Sequence, residues 1–239
     1  MIIRSQLNFG VGISGRIPTI IYINIKYMKQ YDSINYFGDY WGLPIIAFDK
    51  LDGSNLRFEY SQKRGFYKAG TRKMMIDSNE DQFGFAVKLF KDKYEEKLTQ
   101  VFKSKDYRNS LSFVCFAELV GTKSAFGDHD YGNDDFDITL FDISQYKKGL
   151  IPPKQFIKDF GHTGIPRVVY EGNLNKELVQ RVKINEFGLT EGVICKGLVD
   201  TKKGNTFLHY CKIKTDDWFE RLRLKHPERY KEEIKEIQE

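Results

Sequence analysis

Four apolar, strand-forming runs of this chain carry charge where a core strand would tolerate none. Leu43-Pro44-Ile45-Ile46-Ala47-Phe48 drives through Asp49 into Lys50. Ser112 to Val120 holds Glu118, Glu191 heads the run to Leu198, and the run from Thr206 ends on Lys212-Ile213-Lys214. A charge moved into a low-dielectric interior is costly unless it is paired or hydrogen-bonded. Any fold of this chain must therefore bring these strand ends to one another or to a ligand. Lys212 and Lys214 sharpen the demand. Two apart on a strand, they point to the same face, and side-by-side cations repel, so that face should meet an anion. Taken alone, each has a plainer reading: edge-strand lysines that deter aggregation for the pair, a solvated strand end for Glu118. Their joint occurrence favours one polar pocket.

Lys50 is the centre of the pattern. Behind it come Leu51-Asp52-Gly53-Ser54-Asn55, and a second run leaves through Leu56, Phe58 and Tyr60. This reads as strand, charged turn, strand, with the lysine where a buried strand opens into a polar pocket. Strands are also expected within Ile13–Tyr27, 65–70 and 137–143, and a helical turn within Met28–Phe37. Phe83, Val87, Phe90, Tyr94, Leu98 and Val101 recur at helical spacing and predict an amphipathic helix over 83–102. Further helices are expected over 152–160, 176–187 and the charged tail from Asp216, which Pro227 breaks or restarts. Gly121 to Asp135 reads as a glycine-rich loop and Asp200 to Asn205 as a basic turn. Strands with irregularly interleaved helices predict an α+β fold with largely antiparallel sheets. No shift in composition marks a domain boundary in the 239 residues.

Apolar content of 41% with 15% aromatics excludes global disorder. A formal charge of +5 favours a polyanionic partner without establishing one. Cys115, Cys195 and Cys211 lie in apolar runs with no C-x-x-C spacing, which reads as buried reduced thiols rather than a disulfide or zinc site. Met1-Ile2-Ile3-Arg4-Ser5-Gln6 has no secretory pattern, and no run approaches the ~18 apolar residues of a membrane helix. A soluble, cytoplasmic protein is the expectation.

In order, the segments are Lys50-Leu51-Asp52-Gly53-Ser54-Asn55, Gly70-Thr71-Arg72, Phe116-Ala117-Glu118-Leu119-Val120-Gly121, Leu140-Phe141-Asp142-Ile143, Glu191-Gly192-Val193-Ile194 and Lys212-Ile213-Lys214. This series resembles motifs I, Ia, III, IIIa, IV and V of the covalent nucleotidyltransferase superfamily of ATP-dependent ligases and capping enzymes. It is most similar to the RNA ligase 2 family of phages, and the resemblance spans roughly Ile45 to Thr215. It implies a nucleotidyltransferase (ATP-grasp-like ligase) fold, with antiparallel sheets and flanking helices around a nucleotide pocket. It also implies an ATP-dependent RNA ligase that joins a 3′-hydroxyl to a 5′-phosphate through AMP held on Lys50.

By this resemblance Lys214 would contact the α-phosphate, with Lys212 beside it. Glu118 would accept from a ribose hydroxyl, and Phe141 would stack on adenine. Glu191 would hold Mg2+, or Mn2+ in its place. Arg72 and Asn55 would meet the ribose or 5′-phosphate, and Asp49 could face the adenine amino group. Asp52 stands where some members carry histidine and is expected to orient the loop. A lysine must be neutral to attack, which near pH 7 requires a shift of about 4 kcal/mol from its free value. Lys212, Lys214, Arg72 and the metal are the expected sources of that shift, together with burial. After Lys214 only about one short helical segment is expected, with no OB-fold or C-terminal helical domain. Residues 1–239 thus read as one nucleotidyltransferase domain, a monomer whose RNA or nicked-duplex substrate is engaged with help from a partner protein. Arg221, Arg223, Lys225, Arg229 and the Lys202-Lys203 turn are candidate backbone contacts, set against a merely solvated helix. Competing functions are a DNA ligase, a GTP-dependent capping enzyme and a non-catalytic nucleotide-binding domain.

Overall fold

Alternating apolar residues give every long strand one face to bury, and the chain meets this with two antiparallel sheets, each backed by helices. The computed structural model describes residues 28–76, 83–121, 135–200 and 206–238. One sheet has the order β10-β9-β1-β8, from β1 (Pro44–Lys50), β8 (Val168–Asn173), β9 (Gly192–Asp200) and β10 (Thr206–Lys214). The other has the order β4-β3-β2-β5-β6-β7. Its strands are β2 (Ser54–Ser61), β3 (Gly65–Thr71), β4 (Met75–Ile76), β5 (Ser112–Gly121), β6 (Phe136–Gln145) and β7 (Gly149–Leu150). The pairings between these strands are all antiparallel, as the α+β reading requires.

The larger sheet turns Leu56, Phe58, Tyr60, Cys115, Ala117, Leu119, Ile138, Leu140 and Ile143 onto α1 (Gly84–Phe102) and α2 (Pro153–Phe160). Ring stacking fixes that contact, Phe58 on Phe90 at 3.8 Å and Phe102 on Phe113 at 4.0 Å. Each fully buried aromatic or aliphatic side chain contributes about 1.5–3 kcal/mol, so this cluster is the main apolar anchor. The smaller sheet turns Ile45, Ala47, Val193, Cys195, Cys211 and Ile213 onto Leu178, Val179 and Val182 of α3 (Lys176–Lys183). All three thiols are buried, Cys195 opposite Cys211 across β9 and β10. Strand alternation then sends Lys50, Lys196, Lys212 and Lys214 to the other face of the smaller sheet. Asn55, Arg57 and Glu118 leave the helix-covered face of the larger one. Lys196 Nζ joins the sheets, reaching Asp142 Oδ2 at 2.6 Å and the Phe141 carbonyl at 2.9 Å.

Three elements differ from the sequence reading. Residues 28–35 form no helical turn. They run without regular structure, and their polar groups are satisfied by the sheets instead of by their own backbone. Arg57 Nη1 donates to the Met28 carbonyl at 2.6 Å, Tyr31 OH to Asp142 Oδ2 at 2.6 Å, and the Lys212 backbone N–H to the Asn35 carbonyl at 2.9 Å. Strand β8 was not anticipated, although Val168-Val169-Tyr170 is a β-branched and aromatic run. Helix α3 stops at Lys183, because Asn185 adopts a left-handed φ of 58° and its Oδ1 accepts the Leu189 N–H at 2.6 Å. Beyond Lys214 the charged tail is helical as expected, in two parts, α4 (Asp216–Lys225) and α5 (Pro227–Gln238), with Pro227 starting the second. The strands expected within Ile13–Tyr27, the Lys202-Lys203 turn and nearly all of the 121–135 loop lie outside the described residues.

Candidate active site

The register of the smaller sheet sets Lys50, Gly192 and Lys214 in one row, each lysine directly opposite Gly192. Cross-strand partners share a face, so the two lysines flank a position with no side chain. A Cβ on Gly192 would lie 2.1 Å from the Ile213 carbonyl oxygen, so only glycine fits. Glu191, one residue earlier, bridges the two cations. Its Oε2 accepts from Lys50 Nζ at 2.6 Å and its Oε1 lies 3.1 Å from Lys214 Nζ. Glu191 and Lys214 are 5% and 3% exposed, whereas Lys50 is 24% exposed and reachable from the cleft.

The turn after Lys50 is held from two sides. A Cβ on Gly53 would lie 2.2 Å from the Leu119 carbonyl oxygen, so the turn can press against β5 only as glycine. Asp52 Oδ2 accepts from Trp218 Nε1 at 3.3 Å. The same indole lies under Lys214, with Nζ 3.6 Å from the ring centroid. Trp218 stands there because Thr215 ends β10 and caps α4, its hydroxyl accepting the Trp218 N–H at 3.1 Å, with Asp216 and Asp217 in the first turn. Asn55 and Glu118 are cross-strand neighbours, and Asn55 Oδ1 is buried with no hydrogen-bond partner. An orphaned acceptor facing a polar cleft suits a hydroxyl or amide donor from a ligand.

The electrostatics reverse one expectation. Burial works against charge on Lys50, but Glu191 and then Glu118 outweigh it, so the ammonium's pKa is raised, not lowered. Lys212 and Lys214 do not supply the expected depression, because each arrives with its own carboxylates. Burial also opposes charge on Glu191, and Lys50 with Lys214 overcomes it, holding this carboxyl below the usual range. Burial pulls Lys214 down against Glu191 and Glu233. Burial, aided by Glu191 and Asp52, pushes Glu118 up to about 8 against the pull of Lys50.

Lys50, Glu118, Glu191, Lys214 and Asn55 are thus brought to one cleft. Lys212 lies one row along, opposite Ile194, and pairs with Glu236 Oε2 at 2.6 Å and Glu233 Oε2 at 3.9 Å. Phe141 packs with Tyr31 and Phe116, its ring centroid 5.0 Å from that of Tyr31. Asp49 lies 3.3 Å from Arg167 Nη2. Arg72 sits in the exposed turn after β3, donating to Ser33 Oγ at 3.0 Å, and contacts none of the charged cluster. Sequence reading did not single out Trp218, Lys196, Tyr31, Tyr36, Glu233 or Glu236. A signal existed for the last two, which stand three apart and share a helix face. Among the described residues no group of three or more His, Cys, Asp or Glu side chains is arranged to hold a metal. Glu191 offers the hard oxygen donors that magnesium takes, one or two carboxylates beside phosphates and water.

A family model described as RNA ligase matches residues 43–214. No curated protein matches. Among solved structures, Naegleria gruberi RNA ligase with PPi is similar at TM-score 0.57 and 14% identity, over 81% of this chain and 58% of that one. A variant of the same ligase with ATP and Mn gives TM-score 0.55 at 14% identity, over 81% and 58% of the two chains. A candidate ATP-dependent DNA ligase from Aquifex aeolicus gives TM-score 0.54 at 16% identity, over 88% of this chain and 58% of that one. The chain therefore spans 58% of the length of each of these relatives.

Proposed function

The chain belongs to the RNA ligase family, and from that premise we propose that it is an ATP-dependent RNA ligase working through AMP held covalently on Lys50. The observation that carries the reading is the Glu191 bridge between Lys50 and Lys214. It sets a partly open nucleophile beside a buried cation, with a carboxylate between them that holds both. Glu191 Oε2, 2.6 Å from Nζ, orients the Lys50 amine toward the cleft. Its low pKa keeps the resting proton on the lysine, which must pass it to solvent or a phosphate oxygen before attack. Neutral Nζ then attacks the α-phosphorus of ATP, the bond to pyrophosphate breaks, and AMP stays on Lys50. Lys214 stabilises charge gathering on the phosphate oxygens in a site that water enters poorly. AMP next passes to a polynucleotide 5′-phosphate, freeing Lys50. A 3′-hydroxyl attacks that phosphate, AMP leaves, and the phosphodiester bond is made.

Glu118 and Asn55, paired across β2 and β5, suit the ribose. Phe141 and its aromatic neighbours suit the adenine, with Asp49 at the edge. Lys212 extends the cationic row toward the phosphates, and Arg72 is assigned to the incoming strand. Magnesium or manganese held by Glu191 would offset phosphate charge. Support for nucleotide and metal comes from the Naegleria gruberi ligase structures with ATP and Mn. Residues 1–239 are read as one nucleotidyltransferase domain.

The test is transfer of label from α-labelled ATP to the protein with magnesium. Wild type should take label, and Lys50→Ala should take none. An unlabelled wild type, or a labelled Lys50→Ala, overturns the reading. Nicked RNA, RNA–DNA and DNA duplexes, run beside single strands, then identify the strand that is sealed. Label from GTP in place of ATP would point to capping chemistry.

A further inference from the structure

Helix α5 places carboxylates on the two lysines assigned to phosphate. Glu233 Oε1 lies 3.0 Å from Lys214 Nζ, and Glu236 Oε2 lies 2.6 Å from Lys212 Nζ. Tyr36 fixes the arrangement, donating its hydroxyl to Glu233 Oε2 while its ring lies 4.5 Å from Lys212 Nζ. We infer that α5 is an internal competitor for the polyphosphate subsite, with Glu233 and Glu236 standing where phosphate oxygens bind and leaving when nucleotide arrives. The inference rests on the reading of Lys212 and Lys214 as phosphate ligands and adds what controls access to them.

Two physical arguments support it. Carboxylate and phosphate oxygens ask the same of an ammonium, a short charge-assisted hydrogen bond. Lys214 already holds Glu191 Oε1, Glu233 Oε1 and the Trp218 ring face, so a phosphate must displace one of them. Glu191 is needed beside Lys50 and Trp218 is wholly buried, which leaves Glu233 as the replaceable contact. Apart from its charged contacts, α5 is thinly anchored. None of its described side chains from Pro227 to Ile237 is fully buried, whereas α4 buries Trp218 and Leu222 completely. A cavity of about 300 Å³ lies beneath it, lined by Tyr36, Phe37, Ile213, Phe219, Tyr230 and Ile234. An element with few buried apolar contacts opens at low cost.

Isothermal titration of the full chain with inorganic pyrophosphate and magnesium reads the competition without turnover. Glu233→Gln/Glu236→Gln keeps the shapes and removes the charges. It should bind about tenfold tighter than wild type, ~1.4 kcal/mol, with the gap narrowing as salt rises. Glu228→Gln, on the same helix but paired with exposed Lys231 rather than with Lys212 or Lys214, should change nothing. Equal or weaker binding by the double variant overturns the inference, as does equal tightening by Glu228→Gln. Hydrogen exchange on wild type is independent of any variant. Saturating pyrophosphate should speed exchange of the α5 amides, and unchanged or greater protection counts against release. Lys214→Ala separates the two readings. If it binds pyrophosphate as tightly as wild type, the phosphate assignment itself fails.

Discussion

Glu118 is a strand carboxyl that burial holds protonated to about pH 8, well above its ordinary range. Between the unfolded value near ~4.3 and about 8, the folded form keeps a proton that the unfolded form has lost. Stability contributed by the neutral carboxyl is therefore whole in acid, falls as pH rises through that window, and levels off above it. Glu118→Gln should match wild type near the acid end and exceed it at pH 9 by about 2 kcal/mol, a value trimmed because the carboxyl is partly open to the cleft. Urea unfolding at both pH values checks this, and a difference that does not change with pH would sink it. Lys50 shows the limit of residue-level reading. Its place at a strand end was legible from an apolar run meeting a charge. The direction of its pKa was not, because the deciding partner, Glu191, lies 141 residues away.

At the scale of elements, α4 has the largest consequence for the site. Thr215 caps the helix one residue after Lys214, so the first turn brings Trp218 back beneath that lysine and against Asp52. Trp218→Phe keeps a ring under the cation and removes the N–H donor. It should cost about 1 kcal/mol of stability, and Trp218→Ala about 3–5 kcal/mol. Urea midpoints measure both, and the plan fails if Phe costs as much as Ala. The elements that sequence read well are those with a strong period, such as α1, where Phe90, Tyr94, Leu98 and Phe102 bury one stripe. Those it missed lack one. Residues 28–35 take their hydrogen bonds from distant strands, and β8 is a short edge strand whose pairing to β1 supplies what its pattern does not.

Over the whole molecule, the cleft depends on how the two sheets are fastened. Lys196 and Asp142 form that link, 6% and 3% exposed, with the ammonium 5.0 Å from the Phe48 ring centroid. Breaking one side leaves an uncompensated buried charge, so Lys196→Met or Asp142→Leu alone should cost about 3–5 kcal/mol. Together they should recover most of the loss, and a double variant no better than the singles would contradict a paired role. Label transfer to Lys50 should fall with the singles, since the Asn55–Glu118 pair and Lys50 lie on different sheets. Sequence alone determined the long alternating strands, the charged ends that had to converge, the ordered motifs that match the RNA ligase family and the glycine of the turn after Lys50. Those properties are local, set by alternation, spacing and the absence of a side chain. Only the tertiary structure decided which carboxylate meets which lysine: Glu191 between Lys50 and Lys214, Glu233 on Lys214 and Glu236 on Lys212. Ion-pair energies depend on separations of a few ångströms between groups far apart in the chain, and no pattern along the sequence encodes those separations.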